Sequence, residues 1–208
     1  METSYEDMSE KIAPKYREII ANVEQIVRAK LRLFPDGYHY HCLEHTEQVI
    51  HNARAIAAAE RISDAGLPLL LIAAWLHDCM IDSHYTGHEA AACQVADSLL
   101  IGILPSAEME LIRSSILATK LPQEAPHLLA AILADADLLY LGTDLFFPWS
   151  SRLREEHQHV LGRTYTDPEW RELNTRFLRE HTYFTKFAQA YCKRGIEFNL
   201  SLLDSTLS

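Results

Sequence analysis

Residues 67–78 read LPLLLIAAWLHD. The run Leu67 to Leu76 carries no polar side chain and ends on His77-Asp78. A membrane-spanning helix needs about 20 apolar residues, so this run predicts a buried core helix instead. Pro68 suits a first helical turn, and a segment apolar on nearly all sides belongs at the centre of a bundle. Its last residues are the anomaly. A carboxylate following Trp75-Leu76 is at least partly buried, and a buried charge without a partner is costly.

Working outward, the partners fall in two more places. Upstream, residues 38–50 read YHYHCLEHTEQVI; downstream, residues 133–142 read LADADLLYLG. The chain has 11 histidines, and His39, His41, His45, His51, His77, His84 and His88 lie within residues 39–88. His41 and His45 are four apart, hence on one face if that turn is helical. One can ligate while the other faces substrate. His77 and Asp78 diverge by about 100° on a regular helix, and converge only if the helix ends or opens there. Asp135 and Asp137 point in different directions, so one of them faces the metal and the other caps, pairs or reaches solvent. His45, His77, Asp78 and one of these aspartates are therefore expected to bind one divalent ion. The remaining histidines, His127, His157, His159 and His181 among them, are expected to be surface or hydrogen-bonded residues.

A set of two imidazoles and two carboxylates suits manganese, cobalt, nickel, iron or magnesium better than structural zinc. Four protein ligands on a six-coordinate ion leave two open positions. Hydrolysis uses both, one for a water of lowered pKa and one for a phosphoryl oxygen.

Composition bounds the rest. The chain has 208 residues, 48% of them hydrophobic, and a formal net charge of −10. That size and composition predict one domain with a real core over residues 1–208. The charge argues against nucleic acid and anionic membranes as partners and leaves a small phosphorylated substrate open. The N-terminal stretch METSYEDMSEKIAPKYREII has charges of both signs and no apolar run, so no export signal and a cytoplasmic location are expected. Cys42, Cys79, Cys93 and Cys192 form no CxxC pair and read as free thiols.

Helical periodicity is nearly continuous and strand alternation scarce, so the expected fold is all-α, a bundle of eight or nine helices. The expected helices run from near Pro14 to before Pro35, Leu43 to about Ala65, Pro68 to His77, and through AACQVADSLL after a Thr86–Glu89 capping box. They continue from Pro105-Ser106 to about Thr119, Pro126 to Gly142, Leu145 to Val160, Pro168 to Arg179, and Tyr183 to Leu203. Gly66 is read as the end of the second.

The order His45, His77-Asp78, Asp137 resembles the H…HD…D signature of the HD-domain superfamily of metal-dependent phosphohydrolases. The chain is most similar to a bacterial group of predicted HD phosphohydrolases. The likeness lies in Tyr40-His41-Cys42-Leu43-Glu44-His45, in His77 to Asp82, in Asp135 to Gly142, and in the segments LREEHQHV and RFLREHTYFTKF. It covers residues 35 to 200. The resemblance implies Asp137 rather than Asp135 as last ligand, through its A-D-x-L pattern. It implies His41 as proton donor, Asp82 as the acid that positions or deprotonates water, and Lys120 as a phosphate contact. Cys42 stands where asparagine is usual and Leu121 where many relatives have histidine. His88 is then the one obvious candidate for a second-metal ligand, and a single metal is expected. The implied activity is cleavage of a small phosphoester, such as a nucleotide, by metal-activated water. Two other readings stay open: a metal- and nucleotide-binding module without turnover, and a di-iron oxygenase of the same fold.

Overall fold

A computed structural model describes residues 12–205. The opening of the stretch read for an export signal lies outside them. Among the described residues there are nine α-helices: α1 Pro14–Leu31, α2 Leu43–Ala59, α3 Gly66–Leu76, α4 His88–Leu100, α5 Ser106–Leu117, α6 Leu128–Asp137, α7 Phe146–Leu161, α8 Asp167–Glu180 and α9 Lys186–Ser205. A 3-10 turn, Leu139–Gly142, links α6 to α7. No strand occurs among the described residues, and the protein is all-α. Among the described residues, no helix is long and apolar enough to cross a membrane.

The helix read from Leu67–Leu76 is central. Every residue of that run is buried, and α3 packs against α1, α2, α4, α5 and α6. Burying each of its Leu and Ile side chains contributes on the order of 2 kcal/mol. The apolar stripe of α1, with Ile19, Ile20, Val23, Val27 and Leu31 inward, covers one side of it. A second apolar cluster gathers Tyr40, Leu138, Tyr140, Leu141, Phe146, Trp149, Leu178 and Leu203. It joins the 3-10 turn to α7, α8 and α9. The polar residues at the end of α3 sit where these two clusters meet.

Several helix ends differ from expectation. Helix α2 stops at Ala59, not near Ala65, and Gly66 opens α3 rather than closing α2. Arg61 takes φ +55°, and the amides of Ile62 and Arg61 bond the carbonyls of Ala57 (3.1 Å) and Ala58 (3.3 Å). That is a Schellman stop, a role usually filled by glycine or asparagine. The Thr86–Glu89 capping box does not form. Gly87 is the N-cap of α4, at φ +84° with no side-chain cap, and Glu89 turns inward instead, 6% exposed. Helix α6 ends at Asp137, short of Gly142, because the 3-10 turn takes over. Helix α9 begins at Lys186 rather than Tyr183, with the Thr185 hydroxyl accepting from the Ala188 amide (3.2 Å). Thr166 caps α8 in a capping box, its hydroxyl accepting from the Glu169 amide (3.4 Å) and the Glu169 carboxylate from the Thr166 amide (2.7 Å).

Helix α9 docks through glycine. A Cβ on Gly195 would lie 1.8 Å from the Gly142 carbonyl oxygen, and a Cβ on Gly142 would lie 2.3 Å from Cys192 Cβ. Asn199 completes the contact, donating to the carbonyls of Leu141 (2.9 Å) and Thr143 (3.0 Å). The turn after Asp137 is thereby clamped from outside.

Candidate metal centre

Three helices deliver the site. Cys42, extended at φ −133° and ψ 175°, turns the chain into α2, and His45 follows in the first turn, 2% exposed. Beyond α3 the bonding tightens: Cys79 N–H donates to Leu76 O (3.1 Å) and Ile81 N–H to Asp78 O (3.2 Å). The regular helix ends there, as convergence of His77 and Asp78 requires. Helix α6 brings Asp137 at its last residue. Asn52, one heptad after His45 on α2, donates to the Ala136 carbonyl (3.0 Å) and holds the two helices in register.

The side chains meet at short range. His45 Nε2 lies 3.0 Å from Asp137 Oδ1 and 3.4 Å from Asp78 Oδ2; His77 Nε2 lies 3.1 Å from Asp78 Oδ2 and 3.9 Å from Asp137 Oδ1. One ligand atom from each of His45, His77 and Asp137 falls within 4.8 Å of the others. Bonds of about 2.1 Å to a divalent ion place neighbouring ligand atoms roughly 3 Å apart, so the spacing fits one cation.

The bonding pattern points the same way. His77 is fully buried, and its Nδ1 is 2.8 Å from the Ala74 carbonyl, which can only accept. Nδ1 therefore carries the proton and Nε2 presents a lone pair to the centre, the usual arrangement of a metal-binding histidine. His77 Nε2 and Asp78 Oδ2 are buried polar atoms without a hydrogen-bond partner among the described residues. Burial works against a charged His77, yet Asp78 and then Asp137 push it up to about 9. Burial likewise raises the Asp78 carboxyl, but His77 and His88 outweigh it and hold Asp78 well below the ordinary range. The centre calls for positive charge, which a cation would supply in place of a proton.

The other expected residues divide. His88 lies on the rim, its Nε2 3.3 Å from Asp78 Oδ1 and its Nδ1 3.3 Å from the Tyr85 carbonyl. The His41 ring sits 6.2 Å from that of His45 and 6.0 Å from that of His88. Asp135 is elsewhere: its carboxylate accepts from the amides of Phe184 (2.9 Å) and Thr185 (2.7 Å), at the start of α9. Asp82 is engaged by Lys30 Nζ at 3.0 and 3.2 Å. Lys120 is exposed just beyond α5. Neither has a hydrogen bond or ion pair with the cluster among the described residues.

Glu156 was not legible as a site residue. It is fully buried on α7 and bonds His41 Nδ1. The signal was a carboxylate on the inward stripe Trp149, Leu153, Glu156 of an amphipathic helix, where an apolar residue is the rule.

No family model matches the chain, and neither does any curated protein. Two crystal structures do. One is a predicted HD superfamily hydrolase from an uncultured Thermotogales bacterium, 21% identical, TM-score 0.58, aligned over 90% of each chain. The chain has the fold of the HD superfamily. The other is a protein of Lactobacillus plantarum, 17% identical, TM-score 0.68, covering 91% of this chain and 95% of that one. On this HD fold, the His45–His77–Asp137 cluster could hold a metal ion.

Proposed function

We propose that the protein is a metal-dependent hydrolase that cleaves a small phosphoester, with a nucleotide as the first class to test. One observation carries the reading. His45, His77, Asp78 and Asp137 converge at 3.0 to 3.9 Å around buried, unpartnered His77 Nε2 and Asp78 Oδ2. The solved neighbour described as a predicted HD superfamily hydrolase supports it at the level of the fold. A divalent ion at this centre supplies Lewis acidity and a water of lowered pKa. His45 and His77 hold it through neutral nitrogen, and Asp78 and Asp137 offset its charge. His41, beside the cluster, donates a proton to the leaving oxygen. No step is assigned to Asp82, already engaged by Lys30, or to the exposed Lys120.

The test is metal analysis of the purified protein, followed by phosphate release from a panel of nucleotides and simple phosphoesters with manganese, cobalt, nickel and magnesium. Metal-dependent release that disappears in Asp78→Asn is the expected result. A metal-loaded protein that releases nothing, yet melts higher with a nucleotide, would make it a binding module.

A further inference from the structure

Glu156 has more bonds than a structural tie between α7 and its neighbours requires. Its Oε2 accepts from the backbone amides of Tyr40 (2.9 Å) and His41 (3.0 Å). Those two bonds alone would pin the loop before α2 to α7. Its Oε1 adds two side-chain partners: His41 Nδ1, at short range, and the Tyr85 hydroxyl at 3.0 Å. The Tyr85 ring stands edge-on to His41, 5.8 Å between centroids, and closes the imidazole from a third side.

The charge state of Glu156 sets the direction of the bond to His41. Burial raises its carboxyl, but the His41 ring and the two amides outweigh burial and hold it below the ordinary glutamate value. An ionised carboxylate only accepts, so Nδ1 of His41 must carry a hydrogen. Nε2 is then the one ring nitrogen free to meet another molecule, on a ring 6.2 Å from His45.

We propose that Glu156 is a positioning residue: it fixes His41 in the Nδ1–H tautomer, so that Nε2 is presented to the leaving group beside the metal centre. The proposal rests on the hydrolase reading for its chemistry, and for the tautomer on the hydrogen-bond geometry together with the charge of Glu156. In the reaction His41 starts doubly protonated: the bond from phosphorus to the leaving oxygen breaks, the Nε2 proton passes to that oxygen, and the ring is left as the neutral Nδ1–H tautomer. Water forms the new bond to phosphorus as hydroxide, and the proton it gives up passes to solvent, from which Nε2 is reprotonated for the next cycle. Glu156 keeps its charge throughout and holds Nδ1–H in place.

Two measurements test it separately. Long-range nitrogen–proton correlation spectra of the magnesium-loaded, 15N-labelled protein report the His41 tautomer without any substrate. The expected wild-type state has hydrogen on Nδ1. In Glu156→Gln, the amide retains the two backbone bonds through its oxygen and turns its NH2 toward the ring, so hydrogen should move to Nε2. A wild-type Nε2–H tautomer overturns the proposal even if the variant fails to fold. So does a Glu156→Gln spectrum identical to wild type.

The second measurement compares leaving groups. Glu156→Gln should lower kcat about 100-fold on an alkyl phosphoester, with KM and metal content little changed. On p-nitrophenyl phosphate, whose leaving group needs no proton, the loss should stay under about 5-fold. Equal losses on both substrates would mean a structural role. If no phosphoester is turned over, the hydrolase reading fails while the spectra still decide whether Glu156 sets the tautomer.

Discussion

Asp135 and Asp137 are two residues apart on one helix and have unrelated jobs. Asp137 faces His45, whereas Asp135 holds two amides at the start of α9. Asp137→Asn removes charge from the metal centre and should lower metal affinity on the order of 100-fold, read by titration, with the melting temperature of the metal-free protein held or raised. Asp135→Asn should leave metal content at the wild-type level. It keeps one acceptor oxygen where two amides need partners, so it should cost about 2 kcal/mol of stability in denaturant unfolding. A reversal of these two results would exchange their roles. At this scale the sequence was readable where a motif is local. His45 and His77-Asp78 stand out by spacing and by setting, and so does the Asp135–Asp137 pair, within which the family resemblance rather than spacing points to Asp137. Glu156 did not stand out, nor did the partners of Asp135, because the amides that the two carboxylates hold belong to segments that the sequence places far away.

Helix bodies followed from periodicity, and several helix ends did not. Arg61 stops α2 in a left-handed conformation that most side chains avoid, so no composition signal marks it. Thr86-Gly87-His88-Glu89 has the letters of a capping box, but Glu89 is drawn inward beside His88, 3.6 Å away, and the box is lost. Glycine is more informative at α9. Gly195→Ala puts a methyl group into the Gly142 carbonyl, which cannot move without shifting the 3-10 turn. The expected cost is about 3 kcal/mol, with loss of metal affinity as a second effect, because Asp137 directly precedes that turn. Gly162→Ala is the control. Nothing lies within 4 Å of its added carbon, so only the strain of φ +64° remains, on the order of 1 kcal/mol. Equal destabilisation by both would show that α9 does not depend on close approach.

For the molecule as a whole, histidine sets the response to acid. Burial holds His127, His157 and His181 below the ordinary value of 6.5, His181 down to about 4. Their folded pKa values lie below the unfolded ones, so the unfolded chain binds more protons as pH falls. The stability that these three contribute is complete above about 6.5 and declines as pH drops toward 4. His181 stacks on Phe177 and meets Tyr183 edge-on, and His181→Phe keeps that packing. The variant should lose less stability than wild type between pH 6.5 and 4.5, measured by thermal unfolding of the metal-free proteins. An unchanged slope would assign the acid response to other groups. The all-α architecture was legible because α3 is apolar on every side and had to be enclosed. The closure of the site by α7 and α9 was not, because it depends on contacts between chain segments 49 to 116 residues apart.

One turn of α6 reaches outward through Asp135 and inward through Asp137, and this makes the two ends of that connection thermodynamic partners. Whatever steadies Asp137 steadies the carboxylate two residues before it, and with it the amides of Phe184 and Thr185. Those two amides should therefore exchange with deuterium more slowly when manganese or magnesium is added. Linkage requires the converse: loosening the start of α9 must weaken metal binding by the same factor. A segment that donates no ligand would then report, through its solvent exchange, on whether the centre is filled.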